Sequence, residues 1–381
     1  MNIIIVGPAH PYRGGIADSN ERLAHQYIQE GHTVEIVTFT LQYPSFLFPG
    51  KTQYSSSPAP KGLDIVRKIN SINPINWLCV ANQIARKKPD LVMMRFWLPF
   101  LAPCLGTIAR GIRRKSKKTK IVSIVDNIVP HEKRFGDRMF ARYFVGSIHG
   151  FISMSNSVLE DLVQFNKTLK PSLFSPHPLY DHFGSIMPKE QAAENLGLDK
   201  DFSYMLFFGI IRDYKGLDLL LEALALGQQR FRELKVKLIV AGEFYNNSQI
   251  YFELSHKLGI DDMIVWRNEF IPHEQVADYF SLADIVAQTY KSATQSGITQ
   301  IAYHFERPML VTHVGGLAEI VPHNKVGYVC DTEPKAISEA LIDFYENDRF
   351  ETFVEGTKSE KKRYAWDIMT ARINELMTLI N

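Results

Sequence analysis

The chain has 381 residues, 45% of them hydrophobic and 22% charged, which is typical of a globular protein and too long for one ordinary core. Its three separate cysteines lack CxxC spacing, which disfavours a disulfide framework or a zinc site and suits a reducing cytoplasm. The first residues, MNIIIVG, predict a strand and not a signal peptide. The longest apolar stretch, residues 96–109, is too short to span a bilayer and is interrupted by prolines.

The small net charge of +2 conceals two oppositely charged halves. Residues 1–178 carry 23 Lys and Arg against 11 Asp and Glu, whereas the remainder carries 20 against 30. The basic excess peaks at ARGIRRKSKKTK, residues 109–120, shortly after the segment FWLPF at 96–100, in which we expect Phe96, Trp97, Leu98 and Phe100 to be exposed. We therefore expect 96–120 either to meet an anionic membrane surface or to be a solvated helix end over a core helix. No nucleic-acid partner is expected.

Apolar runs alternate with amphipathic segments along the whole chain. The runs are NIIIVG, TVEIVTF, DLVMMR, KIVSIV, GFISMS, SYMLFFG, VKLIVAG, DIVAQTY and PMLVTHV. Such runs are typical of strands buried on both faces of a parallel sheet, and segments 16–30 and 156–166 predict helices between them. The Pro- and His-rich segment 174–200 predicts a linker. We therefore predict an α/β protein with two Rossmann-like, doubly wound domains in tandem and a ligand-binding interdomain cleft.

A glycine pair follows the first predicted strand. In GPAHPYRGGIADSN, Gly14 and Gly15 precede a helix. Paired glycines let a backbone approach a ligand, and the free N–H groups of a helix start attract an anion. A plain strand-to-helix turn would explain the same residues. The dinucleotide fingerprint GxGxxG is absent, so a nicotinamide cofactor is not expected.

Two cations follow a strand in the second half. In FFGIIRDYKGLDLLLEAL, the strand ends at Gly209, and Arg212 and Lys215 occupy the next turn. Cations at the carboxyl edge of a parallel strand are well placed to neutralise a diphosphate. Ordinary solvated turn charges are the other interpretation.

The loop SATQSGITQ, residues 292–300, contains no carboxylate and opens a helix near Ser296 and Gly297. The first N–H groups of that helix carry the positive end of its dipole and suit a phosphate. Gln295 and Gln300 are neutral amides beside it, and Gln300 could reach ribose or sugar hydroxyls. The hydroxyl side chains could instead serve only as helix caps.

Two more strand ends carry candidate residues. VTHVGGLAEIV places Gly315 and Glu319 after the last strong strand, and VDNIVPHEKRFGDR places Asp126, His131 and Glu132 after an earlier one. Each could be structural, and a lone histidine usually is. Because parallel strands end at one edge of their sheet, one cleft could gather these groups.

The order of the motifs resembles the family-four group of retaining glycosyltransferases, which have the GT-B fold of two Rossmann-like domains. The matching segments are the early glycine pair, FFG-x5-KGLDLLLEAL, LIVAGE, LADIVAQTY and PMLVTHVGGLAEIV. The resemblance implies an acceptor-side domain over 1–178 and a nucleotide-sugar domain over 179–363. It also implies that a final helix, 364–381, crosses back to the first domain.

The resemblance further implies transfer of a sugar, with retention, from a nucleotide diphosphate sugar to a glycan or lipid-linked acceptor in cell-surface polysaccharide synthesis. No metal or other cofactor is implied. Arg212 and Lys215 would hold the diphosphate, Gly14 and Gly15 would close on it, and Glu319 would lie near the pyrophosphate or ribose. The implied location is the cytoplasm, at the inner face of the plasma membrane.

The chain departs from the family pattern at three places, one of which is that the arginine that often follows the glycine is displaced to Arg212. The family usually has two glutamates separated by seven residues around the loop-helix, where this chain has SATQSGITQ. Asp126 stands where the family commonly has a histidine. These departures leave two alternatives: a non-catalytic nucleotide-sugar-binding or scaffold relative at the membrane, and a nucleotide-sugar epimerase, which would need poised acid and base groups.

Overall fold

A computed structural model describes residues 1–44, 53–55, 58–128, 136–293 and 296–380. The chain divides into two compact units. The first comprises Met1–His177 and Trp366–Asn381, and the second comprises Pro178–Ala365. Within the described ranges, no helix combines the length and the apolar character needed to cross a membrane.

The first unit contains one parallel sheet of seven strands. They are β1 (Asn2–Val6), β2 (Thr33–Leu41), β3 (Asp64–Asn70), β4 (Leu91–Phe96), β5 (Lys120–Val125), β6 (Gly150–Ser153) and β7 (Ser172–Phe174). Their order is β3-β2-β1-β4-β5-β6-β7. The chain therefore changes direction across the sheet between β1 and β4, and such a switch point leaves a crevice at the carboxyl ends of the strands.

The second unit contains a parallel sheet of six strands. They are β8 (Ser203–Phe208), β9 (Val236–Ala241), β10 (Ile264–Arg267), β11 (Ile285–Gln288), β12 (Met309–Thr312) and β13 (Gly327–Cys330). Their order is β10-β9-β8-β11-β12-β13, with the switch point between β8 and β11. Two Rossmann-like α/β units in tandem confirm the predicted fold class.

Helices cover both faces of each sheet. They are α1 (Gly15–Gln29), α2 (Pro74–Arg86), α3 (Ala102–Lys115), α4 (Asp137–Val145), α5 (Asn156–Val163), α6 (Lys189–Leu196), α7 (Leu217–Leu226), α8 (Gln228–Glu233), α9 (Gln249–Leu258), α10 (Val276–Leu282), α11 (Gly297–His304), α12 (Leu317–Ile320), α13 (Pro334–Glu346), α14 (Phe350–Glu360) and α15 (Trp366–Leu379). In the first unit, α2 to α5 share one core with the sheet. The opposite face is covered by α1 and α15, through residues such as Tyr27 and Ile373.

Two local predictions need correction. The chain passes from the first unit to the second within the predicted linker 174–200, between His177 and Pro178, but the later part of this segment forms α6, whose Ala192 and Ala193 are buried in the core of the second unit. The predicted exposure of Phe96 is also wrong, because this ring ends β4, is fully buried, and stacks on Phe144 with ring centroids 4.1 Å apart.

The last helix is held on the first sheet by a lysine of β5. Lys120 Nζ donates hydrogen bonds to the carbonyl oxygens of Met377, at 2.7 Å, and Ile380, at 3.0 Å. Met377 is in the final turn of α15 and Ile380 follows this helix directly, where the helix dipole is negative and its last carbonyls have no intrahelical donor. A cation at this position therefore satisfies both the charge and the hydrogen bonds of the helix end.

We expect Lys120→Met to lower the free energy of local unfolding of the end of α15 by about 1–2 kcal/mol, because two charge-assisted hydrogen bonds are lost. Hydrogen exchange of the α15 amides should accelerate about tenfold. Lys118→Met, which changes an exposed lysine two residues earlier, is the matched control. Equal protection of α15 in both variants would show that Lys120 does not anchor it.

Candidate functional site

The turn after β8 is fixed against the end of β11. Gly216 closes this turn with φ +65°, and a Cβ there would lie 2.0 Å from the carbonyl oxygen of Thr289. Thr289 Oγ1 also donates to the Gly216 carbonyl at 2.7 Å. Only glycine permits this approach, which places the preceding residues of the turn at the switch point of the second sheet.

Lys215 projects into the switch point. Its side chain is buried, and a Cβ built on Gly209 would lie 3.3 Å from Lys215 Nζ and 3.2 Å from Ile298 in the first turn of α11. The ammonium also lies 5.7 Å from the ring centroid of Tyr290. Burial, and then the charge of Arg212, lowers the pKa of Lys215 to about 8. Lys215, a predicted site residue, thus lies between the end of β8 and the N-terminus of α11.

Arg212 supplies a second positive charge on the same turn. Its guanidinium lies over the ring of Tyr245, 4.1 Å from the centroid. Within the described ranges, neither Arg212 nor Lys215 forms an ion pair with a carboxylate. A turn with two uncompensated cations, one of them buried, favours an anion as its partner.

The mouth of α11 combines capping with close packing. Ser296 Oγ accepts a hydrogen bond from Ile298 N at 3.2 Å and lies 3.2 Å from the hydroxyl of Tyr290, so Ser296 is a helix cap. A Cβ at Gly297 would lie 2.7 Å from the ring of Tyr180. Gly297 is therefore required by packing without any ligand, and a valine there would not report on phosphate binding alone. Gln295 lies outside the described residues.

The other candidates of the second unit differ in exposure. Gln300 is fully buried, and its amide nitrogen and oxygen have no hydrogen-bond partner within the described residues. Gly315 has φ +49° in the turn after β12, and Glu319 is exposed on α12. Their donor-binding roles stay predictions, as do those of Ser296 and Gly297.

In the first unit, the glycine pair opens α1 at the switch point. Gly14 has φ +116° with open space around it, and Gly15 begins the helix. Sequence reasoning missed two acids that follow. Burial raises the pKa of Asp18 to about 6, and burial together with the charge of Asp18 raises the pKa of Glu21 to about 7. Their spacing of three residues after a glycine pair is the signal that could have found them.

Asp126 is held by a buried arginine that the sequence analysis also missed. Arg95 Nε and Nη2 each donate to one carboxylate oxygen of Asp126 at 2.6 Å, and Nη1 donates to Ser19 Oγ at 3.2 Å. The Arg95 side chain is only 3% exposed. This pair joins β4, the end of β5 and α1 at the first switch point. His131 and Glu132 lie outside the described residues.

Comparisons with known proteins agree with this architecture. Residues 188–362 match the family model described as Glycosyl transferases group 1. The match covers most of the second unit, Pro178–Ala365. The match confirms the family resemblance drawn from the motifs. A D-inositol 3-phosphate glycosyltransferase of Thermobispora bispora is 27% identical over 199 residues, which cover 50% of this chain and 46% of that protein. The chain spans about half the length of the curated relatives it matches.

Solved structures of glycosyltransferases share the whole GT-B fold. HepE of Anabaena, solved in complex with UDP, gives a TM-score of 0.74 at 14% identity, covering 99% of this chain and 100% of that one. Sucrose-phosphate synthase of Thermosynechococcus elongatus gives 0.73 at 14% identity, covering 99% and 98%. The likeness therefore extends across both units.

We expect Asp126→Asn to destabilise the first unit by about 3 kcal/mol, because it leaves the buried Arg95 charge unpaired. Arg95→Met should cost less, since the Asp126 carboxylate that remains is partly exposed. The double variant should cost less than the sum of the single variants. Urea unfolding measures all three, with Glu160→Gln on the surface of α5 as the control. Additive effects would contradict a coupled pair.

Proposed function

We propose that the protein transfers a sugar, with retained anomeric configuration, from a nucleotide diphosphate sugar to a glycan or lipid-linked acceptor in cell-surface polysaccharide synthesis. The observation that carries this proposal is the buried Lys215 cation at the switch point, beside the mouth of α11. The group 1 family match of the same unit supports it.

The charges of the second unit suit a leaving diphosphate. Negative charge grows on the diphosphate as the bond to the sugar breaks, and fixed cations stabilise that charge most in a site that excludes water. Lys215 acts as a buried point charge, and Arg212 as a planar donor held over Tyr245. The departing phosphate oxygen takes the proton of the acceptor hydroxyl, so no protein nucleophile and no metal is assigned.

Uridine diphosphate is the first donor fragment to test. HepE of Anabaena was solved with UDP and with UDP-glucose. The first unit suits a hydroxyl-bearing group, because Arg95 is neutralised and carboxylates stand at the start of α1. Asp126, oriented by Arg95, is the candidate acceptor of a hydrogen bond from a sugar hydroxyl.

The assay is nucleotide release from a panel of UDP-, GDP-, ADP- and CMP-sugars, with isolated membranes as acceptor and EDTA present. The wild type should turn over one donor, and the product should keep the anomeric configuration of that donor. Tight UDP binding with no turnover of any donor would favour the non-catalytic relative. Interconversion of the donor sugar itself would favour the epimerase.

Lys215→Ala and Arg212→Ala should each lower turnover on the order of a hundredfold, because each removes a cation that stabilises the leaving group. Lys257→Ala, at an exposed position of α9, should leave turnover unchanged. Unaltered turnover in both site variants, with thermal unfolding like that of the wild type, would exclude the assigned role.

UDP affinity should fall as pH rises above about 8, because the free Lys215 ammonium loses its proton there. The expected slope approaches tenfold per pH unit until the pKa of the complex is reached. Lys215→Arg should bind UDP with no such slope, since the guanidinium stays charged. Calorimetric titration from pH 7 to 9.5 measures both proteins. A wild type with pH-independent affinity would show that Lys215 does not contact the phosphates.

A further inference from the structure

One stretch of the first unit carries a large excess of positive over negative side chains. Between Asp64 and Asp126 the sequence has thirteen lysines and arginines and a single acid, Asp90. Asp90 accepts a hydrogen bond from the backbone N of Asn2 at 2.7 Å. Few negative side chains thus interrupt the surface that α2, α3 and the segments that follow them present to solvent.

The exposed cations gather on two neighbouring helix ends. Thr119 Oγ1 donates to the carbonyl of Pro89 at 2.7 Å, and Lys120 N donates to the carbonyl of Asp90 at 3.1 Å, so the ends of α2 and α3 adjoin. We name this surface the basic rim. Its exposed members are Arg86, Lys87, Lys88, Arg114, Lys115, Lys117 and Lys118. Within the described ranges, only Lys87 forms an ion pair, with Glu35.

The opposite end of α2 exposes large aliphatic side chains. Ile72 is 52% exposed, Ile75 is 74% exposed and Leu78 is 55% exposed. Ile75 and Leu78 lie on the solvent face of α2, and Arg86 lies on the same face two to three turns further on. The outer face of α2 is therefore apolar at its start and basic at its end, so a bilayer that meets this face contacts both kinds of side chain.

The aromatic segment 96–100 does not belong to this face. This segment precedes α3, whereas the cations lie in and after the last turn of α3. The length of the helix places the two ends about 20 Å apart. Phe96 is buried, and Trp97 Nε1 donates to the hydroxyl of Tyr43 at 2.5 Å. The sequence run 96–120 thus joins two surfaces, and its basic half adjoins the basic end of α2.

We propose that the outer face of α2, together with the basic rim, binds the surface of an anionic lipid bilayer. The cations match a negative leaflet and contribute about 1 kcal/mol each, or about fivefold in affinity. The exposed aliphatic side chains favour a bilayer over a soluble polyanion as the partner, because only a bilayer has an apolar interior into which they can insert. A nucleic acid would use exposed aromatic rings for stacking, but Trp77 Nε1 is bonded to the Asn70 carbonyl at 2.7 Å in a half-buried site.

Flotation with vesicles of phosphatidylcholine, with and without phosphatidylglycerol, tests the proposal. The wild type should bind the anionic vesicles at least tenfold more than the neutral ones, and about 0.5 M salt should reverse this binding. Ile75→Ser with Leu78→Ser should lower binding about tenfold. Lys115→Glu with Lys118→Glu should lower it by more than tenfold.

The matched controls lie on the second unit. Leu226→Ser with Ile250→Ser removes two exposed aliphatics, and Lys257→Glu with Lys362→Glu reverses two exposed charges. Both should bind like the wild type, and so should Lys215→Met, which tests transfer chemistry separately. Circular dichroism and thermal unfolding confirm that each variant folds.

Three outcomes would overturn the proposal. The first is weak and equal binding of the wild type to both vesicles. The second is loss of binding in the charge variant alone, with the aliphatic variant unaffected, which would show that the surface binds anionic groups without using the bilayer interior. The third is an equal loss in the controls on the second unit, which would indicate binding without a defined face.

Discussion

Each parallel sheet reverses its chain order once, between β1 and β4 in the first unit and between β8 and β11 in the second. The connections on either side of such a point leave the sheet in opposite directions, so the carboxyl ends of two adjacent strands face an open crevice. Gly209 and Lys215 occupy this position in one unit, and Gly14 and Arg95 occupy it in the other. The positions of the candidate functional groups follow from this topology.

The two switch points have opposite electrostatics. In the first unit the buried guanidinium of Arg95 is neutralised by Asp126, and the acids on α1 add negative charge whenever they ionise. In the second unit Lys215 is buried beside Arg212 and a helix mouth, and its lowered pKa records the cost of keeping that charge from water. An anion at Lys215 would offset the desolvation of the buried ammonium, whereas an anion beside α1 would be repelled by the ionised acids of that helix. The separation explains why the phosphates are assigned to the second unit.

The sequence predicted the centre of each sheet better than its edges. The central strands are buried on both faces and appear as continuous apolar runs, whereas β3, β7, β10 and β13 lie at the four edges with mixed side chains such as DIVRKIN. The positions of Arg212 and Lys215 could be read because they follow a strand directly. The Arg95–Asp126 pair could not, because its members are 31 residues apart and meet only through strand pairing.

Some sequence signals were correct in kind but had a different physical cause. Gly297 is constrained, but the ring of Tyr180 constrains it before any phosphate does. Gln300 was expected at a ligand, yet its amide lies buried without a hydrogen bond in the described part of the chain. Burying an amide without hydrogen bonds lowers stability by about 1–3 kcal/mol. No contact among the described residues explains a glutamine at position 300.

The charge run at 109–120 shows how a linear pattern differs from a surface. Residues that adjoin in sequence across α3 are separated by the rise of the helix, so the aromatic start and the basic end face different surroundings. Residues three and four apart on α2 instead form one continuous face, whose aliphatic start leads to Arg86. The pairing of Thr119 with Pro89 then brings the two basic ends together. The membrane-binding surface proposed here is therefore defined by helical periodicity and strand-end pairing, and not by the density of charge along the sequence.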